Sequence, residues 1–197
     1  GKTEFWLEKP SAVAIGKFDG MHRGHRALLE RIVEAKECGM QAVLFTFDPP
    51  PATFFSGKMQ KGLTTKEEKR RLFRQLGIDV LIEFPMNAQT AATPPEVFIR
   101  DILCARMKTA LIAAGTDLSF GDRGKGDCAL LQRYAPECGY RVEIIDKVYD
   151  GGEQISSTRV RAAVERGRMQ EAGRVLGVPY AVMGTVVHGN RIGRTLG

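Results

Sequence analysis

Cysteine is scarce in this chain, four in 197 residues, and Cys38, Cys104, Cys128 and Cys138 show no Cys-x-x-Cys spacing. Nothing in that pattern supports a disulfide-stapled scaffold, and no apolar run reads as a signal peptide or is long enough to span a membrane. The expectation is a cytoplasmic protein with reduced thiols and no membrane partner. Histidine is scarcer still, with three, so any imidazole chemistry falls to His22, His25 or His188. Two common nucleotide signatures are also missing. No Gly-Lys-Ser/Thr ends a Walker phosphate loop, and no Gly-x-Gly-x-x-Gly follows the first strand, which excludes the standard P-loop and dinucleotide readings. Neither internal repeats nor low-complexity tracts occur.

What is present is ordinary globular composition, 43% hydrophobic and 26% charged, enough for one sizeable α/β domain and the start of a second. The balance of 29 basic against 23 acidic residues leaves a formal charge of +6. This suits a small polyphosphate better than a nucleic acid, because runs such as Lys66-Glu67-Glu68-Lys69-Arg70-Arg71 mix signs along one helix and read as a solvated face.

Short apolar runs at Ala12–Ile15, Ala42–Phe47, Val80–Phe84, Ala110–Ala114 and Val142–Ile145 read as strands. Helical periodicity fills the gaps: Leu28, Leu29, Ile32, Val33 and Ala35 before Gly39; a capping signal at Thr64-Thr65-Lys66-Glu67 before a helix closed by Gly77; a second at Thr93-Pro94-Pro95-Glu96; and Asp127 before a helix to about Tyr134. Alternating strands and helices predict a parallel sheet covered on both faces, with ligands at the carboxyl ends of its strands. The turn from Gly16 to His25 and the loop from Gly115 to Gly126 fall at that edge. Asp48 to Gly62, rich in proline, glycine and aromatics, is long enough to be a functional flap. A texture change near Gly177–Tyr180 divides residues 1–179 from 180–197, where Tyr180–Val187 reads as a strand and Gly189–Arg194 as a basic turn. With Gly1 first and Gly197 last, the chain reads as a fragment or a processed form.

The segment Gly16-Lys17-Phe18-Asp19-Gly20-Met21-His22-Arg23-Gly24-His25 carries the strongest chemical signal. It sits between a strand and a helix, with three glycines that permit close backbone approach and two imidazoles at a helix N-terminus, where anions are favoured. A nucleoside triphosphate fits. Asp19 reads equally as a turn cap or a ligand, and Lys17 also has the reading of a solvated turn residue. Ser156, Ser157 and Thr158 stand where another helix begins, with Arg159 and Arg161 behind. Alone they read as an N-cap on a basic helix; paired with the first motif they become a second phosphate clamp. His188 reads as a structural imidazole.

Taken together, the motifs resemble the prokaryotic bifunctional riboflavin kinase/FAD synthetase family, specifically its N-terminal FMN adenylyltransferase module. Gly16–His25 matches that family's form of the His-x-Gly-His signature, Ile155-Ser156-Ser157-Thr158-Arg159-Val160-Arg161 its Ile-Ser-Ser-Thr-x-x-Arg element, and Gly115–Gly121 its Gly-x-Asp/Asn-Phe-x-Phe-Gly loop, with Leu118 in place of an aromatic. Phe47-Asp48-Pro49-Pro50-Pro51 is similar to its Phe-Asp/Glu-Pro-His-Pro element, with Pro50 in place of histidine, and Gly184–Gly197 looks like the opening of the kinase module. The resemblance implies a Rossmann-like nucleotidyltransferase fold, a parallel sheet flanked by helices, followed by a truncated first strand of a β-barrel kinase domain. The implied reaction moves AMP from ATP to FMN, giving FAD and pyrophosphate, with Mg2+ as cofactor and its ligands unassigned.

Carried over by position, the resemblance implies catalytic roles for His22, His25 and Arg161. It implies ATP contacts for Gly16, Lys17, Phe18, Asp19, Gly20, Gly24, Ser156, Ser157 and Thr158, and flavin contacts for Asp48, Pro49, Phe54 and Asp117. It favours Arg161 over Arg159, which is then expected to face solvent. Phe54 and Phe55 have two readings, stacking on an isoalloxazine ring or anchoring their loop. The tail from Gly184 is expected to be poorly ordered or opportunistically paired, since one strand closes no barrel. Two rival readings stand beside this one: a nucleotidyltransferase with another phosphorylated acceptor, and a nonenzymatic nucleotide or nucleic-acid binding module, which salt-sensitive nucleic-acid binding without turnover would reveal.

Overall fold

A computed structural model describes residues 3–58 and 61–187. Five strands, β1 (Ser11–Ile15), β2 (Gln41–Asp48), β3 (Val80–Pro85), β4 (Thr109–Gly115) and β5 (Arg141–Ile145), form one sheet in the order β3-β2-β1-β4-β5, every neighbouring pair parallel. All five coincide with the expected apolar runs to within two residues at either end. Their side chains alternate between faces, as a period of two requires. Val13, Ile15, Val43, Phe45, Ile82, Phe84 and Ile112 enter one core cluster, while Ala12, Ala14, Ala42, Leu44, Leu111 and Ala113 enter another.

The second face is covered by α1 (Arg23–Glu34), which presents Leu29 and Ile32, and by α3 (Lys66–Gln75), which presents Phe73. Between β2 and α3 the short α2 (Pro51–Ser56) gives the supposed flap a helical turn. The first face is covered by a helix that begins as α5 (Pro95–Val97) and continues with π geometry over Phe98–Arg106, and by α6 (Cys128–Cys138); α4 (Ala88–Ala91) is a single turn after β3. Beyond the sheet, the hairpin β6 (Tyr149–Asp150) and β7 (Glu153–Gln154) leads into α7 (Ser157–Glu165) and α8 (Met169–Leu176), which close a third cluster around Val160, Val175 and Leu63.

Caps explain most boundaries. Thr65 accepts from Glu68 N–H while the Glu68 carboxylate accepts from Thr65 N–H, a capping box one residue later than the sequence suggested. Asp127 caps α6 as expected, accepting from Leu130 N–H at 2.8 Å. That helix runs past Tyr134 to Cys138, because Pro136 lies in the last turn and Gly139, at φ 74°, makes the stop. The segment Thr93–Glu96 behaves differently: Pro94 occupies the N-cap position and no side chain caps it.

Tyr180–Val187 is not a strand. It runs irregularly, and its first residues lie over α3, where Met183 N–H donates to Glu68 Oε1 at 3.1 Å and Tyr180 Oη meets Leu63 O at 3.5 Å. A strand needs a partner edge, and this segment pairs with none among the described residues. The expected basic turn Gly189–Arg194, His188, and most of the expected disordered tail lie outside the described residues.

Candidate active site

The strand order places the topological switch between β1 and β4. Connections leave β1 toward β2 and β3 on one side, then cross to β4 and β5 on the other, and the two diverging loops open a crevice at the carboxyl ends. Gly16–His25 follows β1 and Gly115–Gly126 follows β4, so both expected loops stand at that crevice. The cleft there, about 150 Å³, is lined by His22, Gly24, His25, Gly115, Thr116, Asp117, Asp146, Lys147, Gln154 and Ser156, with Leu28, Ile145 and Ile155.

The turn that builds one wall is held from inside. Phe18 and Met21 have φ of 49° and 47°, a left-handed backbone that is costly outside glycine, and both side chains are buried in the second core cluster. Gly20, at φ 77°, packs where a Cβ would stand 2.6 Å from the Leu63 side chain. Only Gly24 among the motif glycines lines the cleft, with the site of its missing Cβ 3.3 Å from His22 Nδ1. Gly16 lies under the Phe18 ring instead. Phe18 is a support, tilted against His25 with 5.2 Å between ring centroids.

His22 is the N-cap of α1, its Nδ1 accepting from His25 N–H at 3.3 Å. A neutral imidazole that accepts at Nδ1 carries its proton on Nε2, so His22 is a fixed donor. The two rings stack 3.7 Å apart at 16°. Burial lowers the His22 pKa to about 4. Burial first, then the neighbouring His22 and Lys69 charges, hold His25 well below the usual imidazole range. Both are neutral at pH 7. His25 Nδ1 is buried with no hydrogen-bond partner among the described residues.

These depressed values bear on stability. Above pH 6.5 neither the folded nor the unfolded chain protonates the imidazoles. Below it the unfolded chain takes up protons that the folded chain refuses, so stability falls as pH drops, the His22 part levelling off near pH 4. The expected result is a melting temperature that falls more steeply between pH 6.5 and 5 in the wild type than in a His22→Gln/His25→Gln double variant. Parallel profiles in a thermal melt series would contradict it.

Beneath the cleft, Asp19 knots three segments that are distant in sequence. Only 1% exposed, its Oδ1 accepts from Leu63 N–H at 3.0 Å, its Oδ2 accepts from Arg161 Nη2 at 2.8 Å, and its backbone carbonyl accepts from Ser157 Oγ at 2.8 Å. Arg161 Nε also donates to Lys61 O at 3.1 Å. Ser156 is the N-cap of α7, accepting from Arg159 N–H, and lines the cleft; Thr158 follows in the first turn of α7. The pKa of Lys17 is lowered by burial and then by the Arg161 charge.

Other expected site residues lie apart. Asp48, at the end of β2, pairs with Lys66 at 2.6 Å and precedes Pro49. Phe54 rests edge-on against Phe55 on α2, and Phe55 rather than Phe54 lines a small aromatic pocket with Phe47, Phe84, Phe98, Ser119 and Gly121. Asp117 lines the cleft at the carboxyl ends of the strands, 3.4 Å from Lys147. Arg159 does not face solvent: its side chain is 14% exposed, ion-paired to Asp150 at 3.2 Å, Glu153 at 3.3 Å and Glu171 at 3.5 Å, and donates to the Asp150 and Glu153 carbonyls. The hairpin preceding α7 supplies Asp150 and Glu153 and α8 supplies Glu171, and no local pattern along the chain signals that hairpin. Asp146, Lys147 and Gln154 were also missed, although residues just past the fifth expected strand could have been flagged by the carboxyl-end rule.

The FAD synthetase family profile matches residues 5–159. The chain belongs to the FAD synthetase family. The bifunctional riboflavin kinase/FMN adenylyltransferase of Listeria monocytogenes is 35% identical over 198 residues, covering 99% of this chain and 62% of that protein. A putative bifunctional riboflavin kinase/FMN adenylyltransferase of Geobacillus thermodenitrificans is 37% identical over 173 residues, 87% of this chain and 92% of that one. A crystal structure from Streptococcus pneumoniae, described as a macrolide-efflux protein, superposes with a TM-score of 0.84 at 30% identity, covering 98% of this chain and 63% of that one. The chain thus spans about 62% of the length of the Listeria relative. Among the described residues no helix is long and apolar enough to cross a membrane. The parallel sheet flanked by helices is the Rossmann-like nucleotidyltransferase fold of an FAD synthetase family module.

Proposed function

We propose that this chain transfers AMP from ATP to FMN. An oxygen of the FMN phosphate attacks the α-phosphorus, a new P–O bond forms, the bond from the α-phosphorus to the bridging oxygen breaks, and pyrophosphate leaves with that electron pair. No side-chain nucleophile is needed, so the protein's work is positioning and charge stabilisation. The observation that carries this reading is the stacked, neutral His22–His25 pair at the head of α1, with the His22 Nε2–H fixed as a donor beside a cleft of nucleotide-binding topology.

The adenosine part fits against Gly115–Asp117 and Asp146–Gln154, and the phosphates reach the histidines and the start of α7. Mg2+ bound together with ATP would neutralise part of the phosphate charge. Asp117 and Asp146 are the cleft carboxylates available to it, and a hard cation with one or two carboxylates suits that donor set. The aromatic pocket around Phe47, Phe55 and Phe98 suits the flavin ring, with Asp48 and Pro49 at the neighbouring end of β2. Residues 1–179 are the transferase domain, and 180–197 lead toward the riboflavin kinase portion named in the longer relatives. The working setting is the cytoplasm, with small molecules rather than nucleic acid as partners. Incubation of the chain with FMN, ATP and Mg2+ is expected to yield FAD and pyrophosphate on chromatography. Absence of FAD, with ATP bound, would favour the nonenzymatic binding module.

A further inference from the structure

Cations crowd around Asp19 in a way the motif residues do not explain. Arg161 from α7 takes one carboxylate oxygen at 2.8 Å. Lys69, from the middle of α3, brings its ammonium to 3.9 Å from the other. That separation is an ion-pair contact but too long for a hydrogen bond, and the Lys69 Nζ has no acceptor at hydrogen-bond distance among the described residues. The side chain is nevertheless three-quarters buried, 23% exposed. Lys17 stands in the same field, influenced by Arg161, Asp19 and Lys69 together. Asp19 itself belongs to the turn that ends in His22 and His25, so the ion pair ties Lys69 to that turn.

The arrangement is therefore one buried carboxylate shared by Arg161 and Lys69, in the turn that carries the two neutral histidines. Partly desolvated positive charge in excess of its counter-charge is costly unless an anion completes it. An ammonium whose donors are unspent is the group best placed to supply charge-assisted hydrogen bonds to that anion. Capping at Thr65 fixes the first turn of α3, so Lys69 is delivered to this point by a rigid element.

We propose that Lys69 binds the β- and γ-phosphates of the nucleoside triphosphate and holds the pyrophosphate as it leaves, with Asp19 steering its ammonium from behind. This rests on the adenylyl-transfer reading for its catalytic meaning, but not for its binding test. The helix carrying Lys69 lies outside both motifs that point to the phosphates, and along the sequence the lysine looks like any other charge on a solvated face.

The test compares ATP, pyrophosphate and AMP binding by calorimetry, without FMN, in the full chain and in Lys69→Met, Lys69→Gln and Lys69→Arg variants. Expected is a loss of about 10-fold or more in affinity for ATP and pyrophosphate in Lys69→Met and Lys69→Gln, with AMP within about 2-fold and most of the loss recovered in Lys69→Arg. Unchanged ATP affinity would overturn the proposal, and so would equal losses for ATP and AMP, which mark a general structural role. Should Lys69→Met not fold, the Gln and Arg variants carry the same comparison. Wild-type protein that binds ATP through Lys69 yet makes no FAD would defeat the reaction reading alone. FAD formation with Lys69-independent ATP binding would defeat this proposal alone.

Discussion

His25→Ala is expected to lower kcat for FAD formation by about 100-fold or more, with the KM for FMN little changed. The size follows from losing a group that acts on charge developing at the reacting phosphate, a class of loss near two to three orders of magnitude in comparable transition-state sites. Two features of the structure make His25 the more sensitive of the pair. Its ring is the platform on which His22 stacks at 3.7 Å, and it is itself backed by Phe18. Alanine therefore removes one imidazole and the support of the other. His22 keeps its N-cap bond, since the donor there is the His25 backbone N–H, which the substitution leaves in place. Helix α1 should accordingly survive, and circular dichroism with a thermal melt separates lost chemistry from lost fold. An FAD yield within about 3-fold of wild type, by chromatography under saturating ATP, would reduce His25 to a packing residue.

Asp19→Ala is expected to destabilise the chain by about 3–5 kcal/mol, the range found when one partner of a buried, hydrogen-bonded charge pair is deleted. The carboxylate is 1% exposed and serves Leu63 N–H and Arg161 at once. Its loss strands an amide and a guanidinium and removes the carboxylate that Lys69 and Arg161 share. For a domain of this size the melting temperature should fall on the order of 10 °C. Asp19→Asn keeps an acceptor for Leu63 but not the charge, and should fall between wild type and alanine. A melting temperature for Asp19→Ala within about 2 °C of wild type would show that water satisfies these groups and that the knot is dispensable. Pyrophosphate should partly restore the stability of Asp19→Ala, since it supplies negative charge to the same cations.

Those two residues illustrate how unevenly the site could be read along the chain. His22 and His25 were legible because a strand, a glycine-framed turn and a helix N-terminus are local patterns, and three residues of spacing place both rings at one helix end. Asp19 was legible only as an alternative between cap and ligand, and it is neither in a simple sense. Its partners Leu63, Ser157 and Arg161 are 44, 138 and 142 residues away. Arg159 shows the same limit from the other direction. The resemblance leaves it facing solvent, but the β6–β7 hairpin carries Asp150 and Glu153 to it. Tyr180–Val187 has the composition of a strand, and composition does not provide an edge to pair with.

From its sequence alone this protein is determined to be an alternating α/β chain with five parallel strands, a glycine-framed turn after the first and a second capped helix start near Ser156. Such features depend on periodicities and caps that span a few residues, where local sterics and hydrogen bonding dominate. The tertiary structure decided which of them share a cleft, that Asp19 ties the two motifs together, and that α3 brings Lys69 to Asp19. Charges on separate elements acquire their partners only when the sheet order β3-β2-β1-β4-β5 is set, because burial and a few ångströms of distance, not adjacency in sequence, fix the strength of an electrostatic contact.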